Sequence, residues 1–216
     1  MTTPLLTTLS QNLPAQVPLA LAWIAYAVFH SFTASLWLKS IVQRRWPQFF
    51  ASYRLAYNLL AGVLLLPILW LAWKTPGPTL WTWEGSMAWL MNGVTVLAML
   101  HFLRYGSGYD LSSFLGLRPE AVAAQGRFVL SGWHRFVRHP WYALGLILIW
   151  TRDMTTAGFV TAEAITMYFV IGSRLEERKL VEEFGERYRE YQRKVGRLFP
   201  LPWRVLSKTD ADRLAG

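Results

Sequence analysis

No charged residue precedes Lys39, and the stretch VPLALAWIAYAVFHSFTASLWL, residues 17–38, carries no formal charge over its 22 residues. About 20 apolar residues cross the hydrocarbon core of a bilayer as one helix. Within lipid every backbone N–H and C=O needs an internal partner, so such a run is expected to be helical. It lacks the basic start and small-residue cleavage site of a secretory signal, so it is expected to stay in the mature protein.

Further apolar runs follow. A basic loop holding Lys39, Arg44, Arg45 and Arg54 leads into a second span over 55–73. The turn KTPGPTLWTWEG carries two prolines and two tryptophans, residue types suited to a turn at a membrane interface. A third span covers 86–103, followed by a long polar stretch, 104–140. The last apolar region, 141–173, is interrupted by TRDMTT. At about 1.5 Å per residue it is too long for one crossing and fits a helical hairpin with a short first arm. The sequence therefore predicts an all-α, polytopic membrane helix bundle of about five transmembrane helices, the last two a hairpin. Residues 1–103 form the three N-terminal helices, and 104–216 form the core expected to carry the chemistry.

Composition agrees. Only 16% of residues are charged, against about 25% in soluble domains, and mean hydropathy is +0.23. The net charge of +9 does not point to nucleic acid, because the basic residues flank apolar segments. With five spans, 20 of the 22 lysines and arginines fall on one side and only Lys74 and Arg152 on the other. The positive-inside rule then sets the N-terminus outside and the C-terminus in the cytoplasm, as expected for a multi-pass plasma-membrane protein in contact with membrane lipids. The absence of cysteine excludes disulfides and thiolate chemistry supplied by the chain itself.

The tail RLEERKLVEEFGERYREYQRKVGRLFPLPW places Leu180, Phe184, Tyr188, Tyr191 and Val195 at three- and four-residue spacing. The pattern predicts a cytoplasmic amphipathic helix that ends at Pro200, with Glu183–Arg187 and Glu190–Lys194 as i,i+4 pairs. No P-loop, dinucleotide fingerprint or HExxH occurs. His30 and His101 read as hydrogen-bonders in the bundle, Asn58 and Asn92 as contacts between helices, and Glu163 as a carboxylate near the outer interface. The stretch 126–142 and the pair Glu176-Glu177 lie at the cytoplasmic ends of the last two spans. In a hairpin they meet at one depth. Two readings stay open on these residues alone: a polar pocket, or anchoring of Arg138 and His139 to lipid phosphates.

GWHRFVRHPWY (132–142) followed by EERKLVEEFGERYREYQRKVGRLFP (176–200) resembles the isoprenylcysteine carboxyl methyltransferase and phospholipid methyltransferase superfamily of integral membrane enzymes. The resemblance covers about residues 104–201. HSFTASLWLK and YRLAYN resemble its bacterial branch, which includes methanethiol S-methyltransferases. The resemblance implies an S-adenosylmethionine-dependent methyltransferase with a small-molecule or lipid acceptor, either a small thiol or a lipophile. Carried over, the cofactor-binding residues are Phe128, Val129, Leu130, His134, Arg138, His139, Pro140, Trp141, Tyr142 and Glu176, with His139 or Glu177 as a base. Arginine and histidine donors suit a carboxylate, and aromatic faces suit a cation and adenine. His134 stands where many relatives have tyrosine, and Leu144 where many have glycine. Gly172 stands where carboxyl-methylating members have an arginine, and Arg174 lies about 200° round the helix from it. Two alternatives accompany this reading: an NADPH-dependent membrane reductase of the sterol-reductase type, and a non-catalytic membrane accessory protein.

Overall fold

The computed structural model describes residues 3–106, 115–117, 128, 130 and 132–215. The chain divides into two compact units, one of Met1–Ala121 with Thr151–Ile165 and one of Val122–Trp150 with Thr166–Gly216.

In the first unit α1 (Thr3–Asn12), a 3-10 turn (Leu13–Gln16) and α2 (Val17–Ala34) follow one another, and Thr7–Ala34 is one apolar stretch of 28 residues. The helix stops at Ala34, short of the expected residue 38. Ser35 turns extended (φ −66°, ψ 144°) and its side chain accepts the Leu38 N–H. It thereby caps a new helix, α3 (Leu36–Arg45), as serine is suited to do. After α4 (Pro47–Phe50) come α5 (Tyr53–Lys74) and α6 (Gly85–Gly106), within three residues of the expected spans. Each has 22 residues, about 33 Å of helix and enough to cross.

Between α5 and α6, β1 (Thr79–Trp81) pairs antiparallel with β2 (Met154–Thr155). Leu19, Trp23 and Ile68 form a core with Ala157, and the Trp23 indole donates to the Thr161 hydroxyl at 3.2 Å. Tyr57 bridges α5 to α2 through His30 Nε2 at 2.6 Å, the hydrogen-bonding role expected of that histidine. Outward, Ile24, Val28 and Trp89 are 60%, 65% and 82% exposed. Apolar surface on this scale requires a partner, and here the partner is lipid.

In the second unit α7 (Pro140–Trp150) runs antiparallel to the later part of α8 (Thr156–Phe184). Trp150 Nε1 donates to Thr166 Oγ1 at 3.1 Å, and the Tyr142 and Phe169 rings stack at 4.5 Å. With 11 residues, α7 reaches about 17 Å and cannot cross a 30 Å core alone. Among the described residues four helices, rather than five, are long and apolar enough to cross. The hairpin exists, but its first arm is a half-length helix set between Pro140 and the turn at Thr151. α8 is apolar from Thr156 to Ser173 apart from Glu163, which is exposed, and becomes charged from Arg174 onward.

The tail is not the single helix that the periodicity predicts. α8 ends at Phe184 because Gly185 adopts φ 58°, ψ −132°, where side-chain-bearing residues are strained. α9 (Glu186–Lys194) follows and ends at Val195, which is extended (φ −127°, ψ 142°), well before Pro200. The break removes the expected Glu183–Arg187 pair: Arg187 instead donates to the Leu214 carbonyl at 2.5 Å. The Glu190–Lys194 pair is present at 3.1 Å. A last helix, α10 (Lys208–Ala215), is capped by Ser207, whose hydroxyl accepts the Asp210 N–H at 3.0 Å. Phe128, Tyr188, Tyr191, Val195, Leu206, Ala211 and Leu214 close a core under α9 and α10. Each large side chain buried there contributes about 1.5–3 kcal/mol.

Candidate functional site

Every described candidate residue lies in the second unit. Val129 lies outside the described residues. The stretch before α7 is anchored by main chain. Val137 and Gly196 form a parallel bridge, Arg138 N donates to Gly196 O at 2.8 Å, and His139 N donates to Arg197 O at 3.0 Å. A Cβ on Gly196 would lie 2.3 Å from Phe199 O, so this close approach requires glycine. Pro140 opens α7 where its missing N–H is no loss, and the His139 carbonyl accepts the Ala143 N–H at 3.0 Å.

This anchoring aims Arg138 and His139 at the acidic pair on α8. Arg138 holds Glu177 with two donors, Nε at 2.7 Å to Oε1 and Nη2 at 3.2 Å to Oε2. Its Nη1 donates to the carbonyls of Gln192 and Val195. Glu177 also accepts from His139 Nε2 at 3.1 Å, Gln192 Nε2 at 3.0 Å and Arg197 Nε at 3.3 Å. Arg138 and Glu177 side chains are 7% and 3% exposed. A buried ion pair persists when both partners' remaining hydrogen-bonding capacity is met, and here it is. Glu176 differs: its side chain is 51% exposed and its Oε2 lies 3.5 Å from His139 Nδ1. The imidazole thus spans two carboxylates, one buried and fully engaged, the other half exposed. On its other side His139 stacks on Tyr142 with ring centres 5.4 Å apart and planes 6° apart, and Tyr142 stacks on Phe169.

The structure thus brings Arg138, His139, Pro140, Tyr142, Glu176 and Glu177 together. Phe128 and Leu130 instead pack in the aromatic core, Phe128 against Phe184, Tyr188 and Tyr191. Trp141 is half-buried at the start of α7. The His134 carbonyl accepts the Tyr191 hydroxyl at 2.7 Å. Burial, then the neighbouring His139, pushes the His134 imidazole down to about 4. Phe169, Gln192 and Arg197 are further members that the sequence reading did not single out. Gln192 follows Tyr191 in the helical stripe, and no local pattern announces Arg197.

A multi-pass α-helical membrane protein with an arginine–histidine–glutamate corner at the charged end of its last long helix is the class that these features define. The chain is 36% identical over 159 residues to a methanethiol S-methyltransferase of Pseudomonas deceptionensis, covering 68% of this chain and 59% of that protein. It is 33% identical over 187 residues to methanethiol S-methyltransferase 2 of Bradyrhizobium diazoefficiens, covering 81% and 69%. It is 32% identical over 196 residues to a methanethiol S-methyltransferase of Mycobacterium tuberculosis, covering 83% and 75%. The chain belongs to this bacterial family of membrane methyltransferases, which is similar to the isoprenylcysteine carboxyl methyltransferases. It spans 59% and 64% of the length of the two Pseudomonas relatives that it matches. No protein-family model matches the chain, and no solved structure matches it.

Proposed function

We propose that the chain is an S-adenosylmethionine-dependent methyltransferase of the bacterial inner membrane that methylates a small thiol, with the site on the cytoplasmic face. The observation that carries this reading is the half-open carboxylate of Glu176 beside His139 and the Tyr142–Phe169 stack. A carboxylate suits the amine and ribose hydroxyls of that donor, and stacked aromatic faces suit its adenine and its cationic sulfur. The residues present therefore fit the group. The relatives' names supply methanethiol as the acceptor to test first.

When bound, S-adenosylmethionine would supply a methyl group on a cationic sulfur; that sulfur–methyl bond would break as the thiol sulfur's electron pair forms the new one, releasing a neutral thioether. The residues' task is alignment and removal of the thiol proton. Glu177 accepts at His139 Nε2, which fixes the proton on that nitrogen and leaves the Nδ1 lone pair on the Glu176 side. In this reading Nδ1 takes the thiol proton, and Glu176, 3.5 Å away, stabilises the resulting cation. Arg138 has its donors committed to Glu177 and to two carbonyls. It serves as a positioning residue, and so does Glu177.

The test is incubation of the purified full chain in detergent with a methyl-deuterated donor and methanethiol, with headspace mass spectrometry for labelled dimethyl sulfide. Wild type forms it. Glu176→Gln weakens donor binding about tenfold by calorimetry, the scale of one charged hydrogen bond, without lowering the melting temperature. Absence of both labelled product and donor binding in the wild type refutes the assignment.

A further inference from the structure

The charged end of α8 carries a second polar chamber. Helical geometry turns successive residues by about 100°, so Arg178 projects about 200° from Glu176. On the flank of Glu177 away from Glu176 and His139 lies an open cleft of about 540 Å³. Its walls include Arg174, Arg178 and Glu182 from α8, Arg189 and Gln192 from α9, and Arg197 beyond it. The buried Glu177 carboxylate forms its back and is satisfied by the donors described above.

Four arginines stand there against two glutamates, Glu177 and Glu182, so the cleft is positive. Arg197 donates to Glu177 through Nε alone, and Arg189 is paired with Glu186 at 3.0 Å. Arg174 and Arg178 have no hydrogen bond or ion pair among the described residues. They lie one turn apart on the same face of α8 and open into the same cleft as Arg189 and Arg197. Guanidinium forks that line one cleft from two helices and the segment beyond them suit the oxygens of a phosphate group. A face that only keeps the chain soluble requires no such concavity.

We propose that this cleft is a binding site for a phosphate group, carried either by an anionic lipid headgroup or by a soluble phosphate, on the other flank of Glu177 from the methyl-donor site. Arg174 and Arg178 are its main ligands, with Arg189 and Arg197 completing the ring.

The test is calorimetric titration of the full chain in maltoside micelles with three probes: inorganic phosphate, dihexanoyl phosphatidylglycerol and dihexanoyl phosphatidylcholine. The expected result is saturable binding of phosphate or phosphatidylglycerol and none of phosphatidylcholine. Binding of inorganic phosphate identifies a soluble source, and binding of phosphatidylglycerol alone identifies a headgroup. The double variant Arg174→Ala/Arg178→Ala weakens that binding about tenfold or more, as loss of charge-assisted hydrogen bonds requires. The charge-matched control Arg204→Ala/Lys208→Ala, outside the cleft, leaves it unchanged. Equal weakening by both variants, or no saturable binding of either phosphate probe, overturns the proposal. Both variants keep wild-type affinity for S-adenosylmethionine where the wild type has any, so failure here is distinguishable from failure of the methyltransferase reading.

Discussion

Replacing Glu177 by alanine is the most direct challenge to the architecture of the corner. The carboxylate is nearly inaccessible and accepts from Arg138 twice and from His139, Gln192 and Arg197. Without it the Arg138 guanidinium stays buried with only the carbonyls of Gln192 and Val195. Removing one partner of a buried pair costs about 3–5 kcal/mol, and for a chain of this size roughly 2–4 °C of melting temperature follows each kcal/mol, so a fall of about 6–20 °C is expected. The assay is thermal unfolding of the detergent-solubilised protein. Glu176→Ala is the internal control, since that side chain is half exposed and its loss moves the midpoint by no more than about 2 °C. The double variant Glu177→Leu/Arg138→Met removes both charges and recovers much of the loss, because an uncompensated buried charge, rather than the missing pair, is the main penalty. If Glu177→Ala melts with the wild type, the corner is open to water and the reasoning fails.

Acid sensitivity follows from His134, whose pKa is held at about 4 against the usual 6.5 by burial and by His139. The folded protein resists this proton, so the contribution is intact above pH 6.5 and is lost as pH falls from 6.5 towards 4. His134→Gln should flatten the melting temperature over that window, and an unchanged slope excludes the explanation. Gly185→Ala adds a side chain that meets nothing within 4 Å but must sit at φ 58°, so a loss of about 1–3 kcal/mol in stability is expected from backbone strain alone. The topology reading is tested by single cysteines in a chain that has none. In intact cells Thr79→Cys should react with an impermeant maleimide and Lys208→Cys should not. Reversed labelling overturns the proposed orientation.

The long spans were legible because lipid imposes a length and forbids charge, and both survive as plain text in residues 55–73 and 86–103. The acidic pair and the Arg138-His139-Pro140 run were legible as neighbours only through the hairpin. What the sequence concealed has local causes. Ser35 ends a span inside an apolar run because a hydroxyl competes for the backbone N–H of Leu38. Gly185 breaks a tail whose apolar periodicity continues across the break, since periodicity reports which face is buried and not whether the helix is continuous. Ser207 and Asp210 do spell a capping pattern, so α10 was recoverable from SKTD. Arg197 was not, because it meets Glu177 only after Val195 has left the helix and the chain has turned back past Val137.

The clasp around Arg138 and His139 is made largely of peptide groups: the carbonyls of Gln192, Val195, Gly196 and Arg197. A carbonyl is the same whatever side chain accompanies it. Side chains of this strap can therefore change without loosening that grip, although Gln192 and Arg197 also hold Glu177 through theirs. The residue for which that freedom ends is Gly196, where the alphabet offers no substitute small enough.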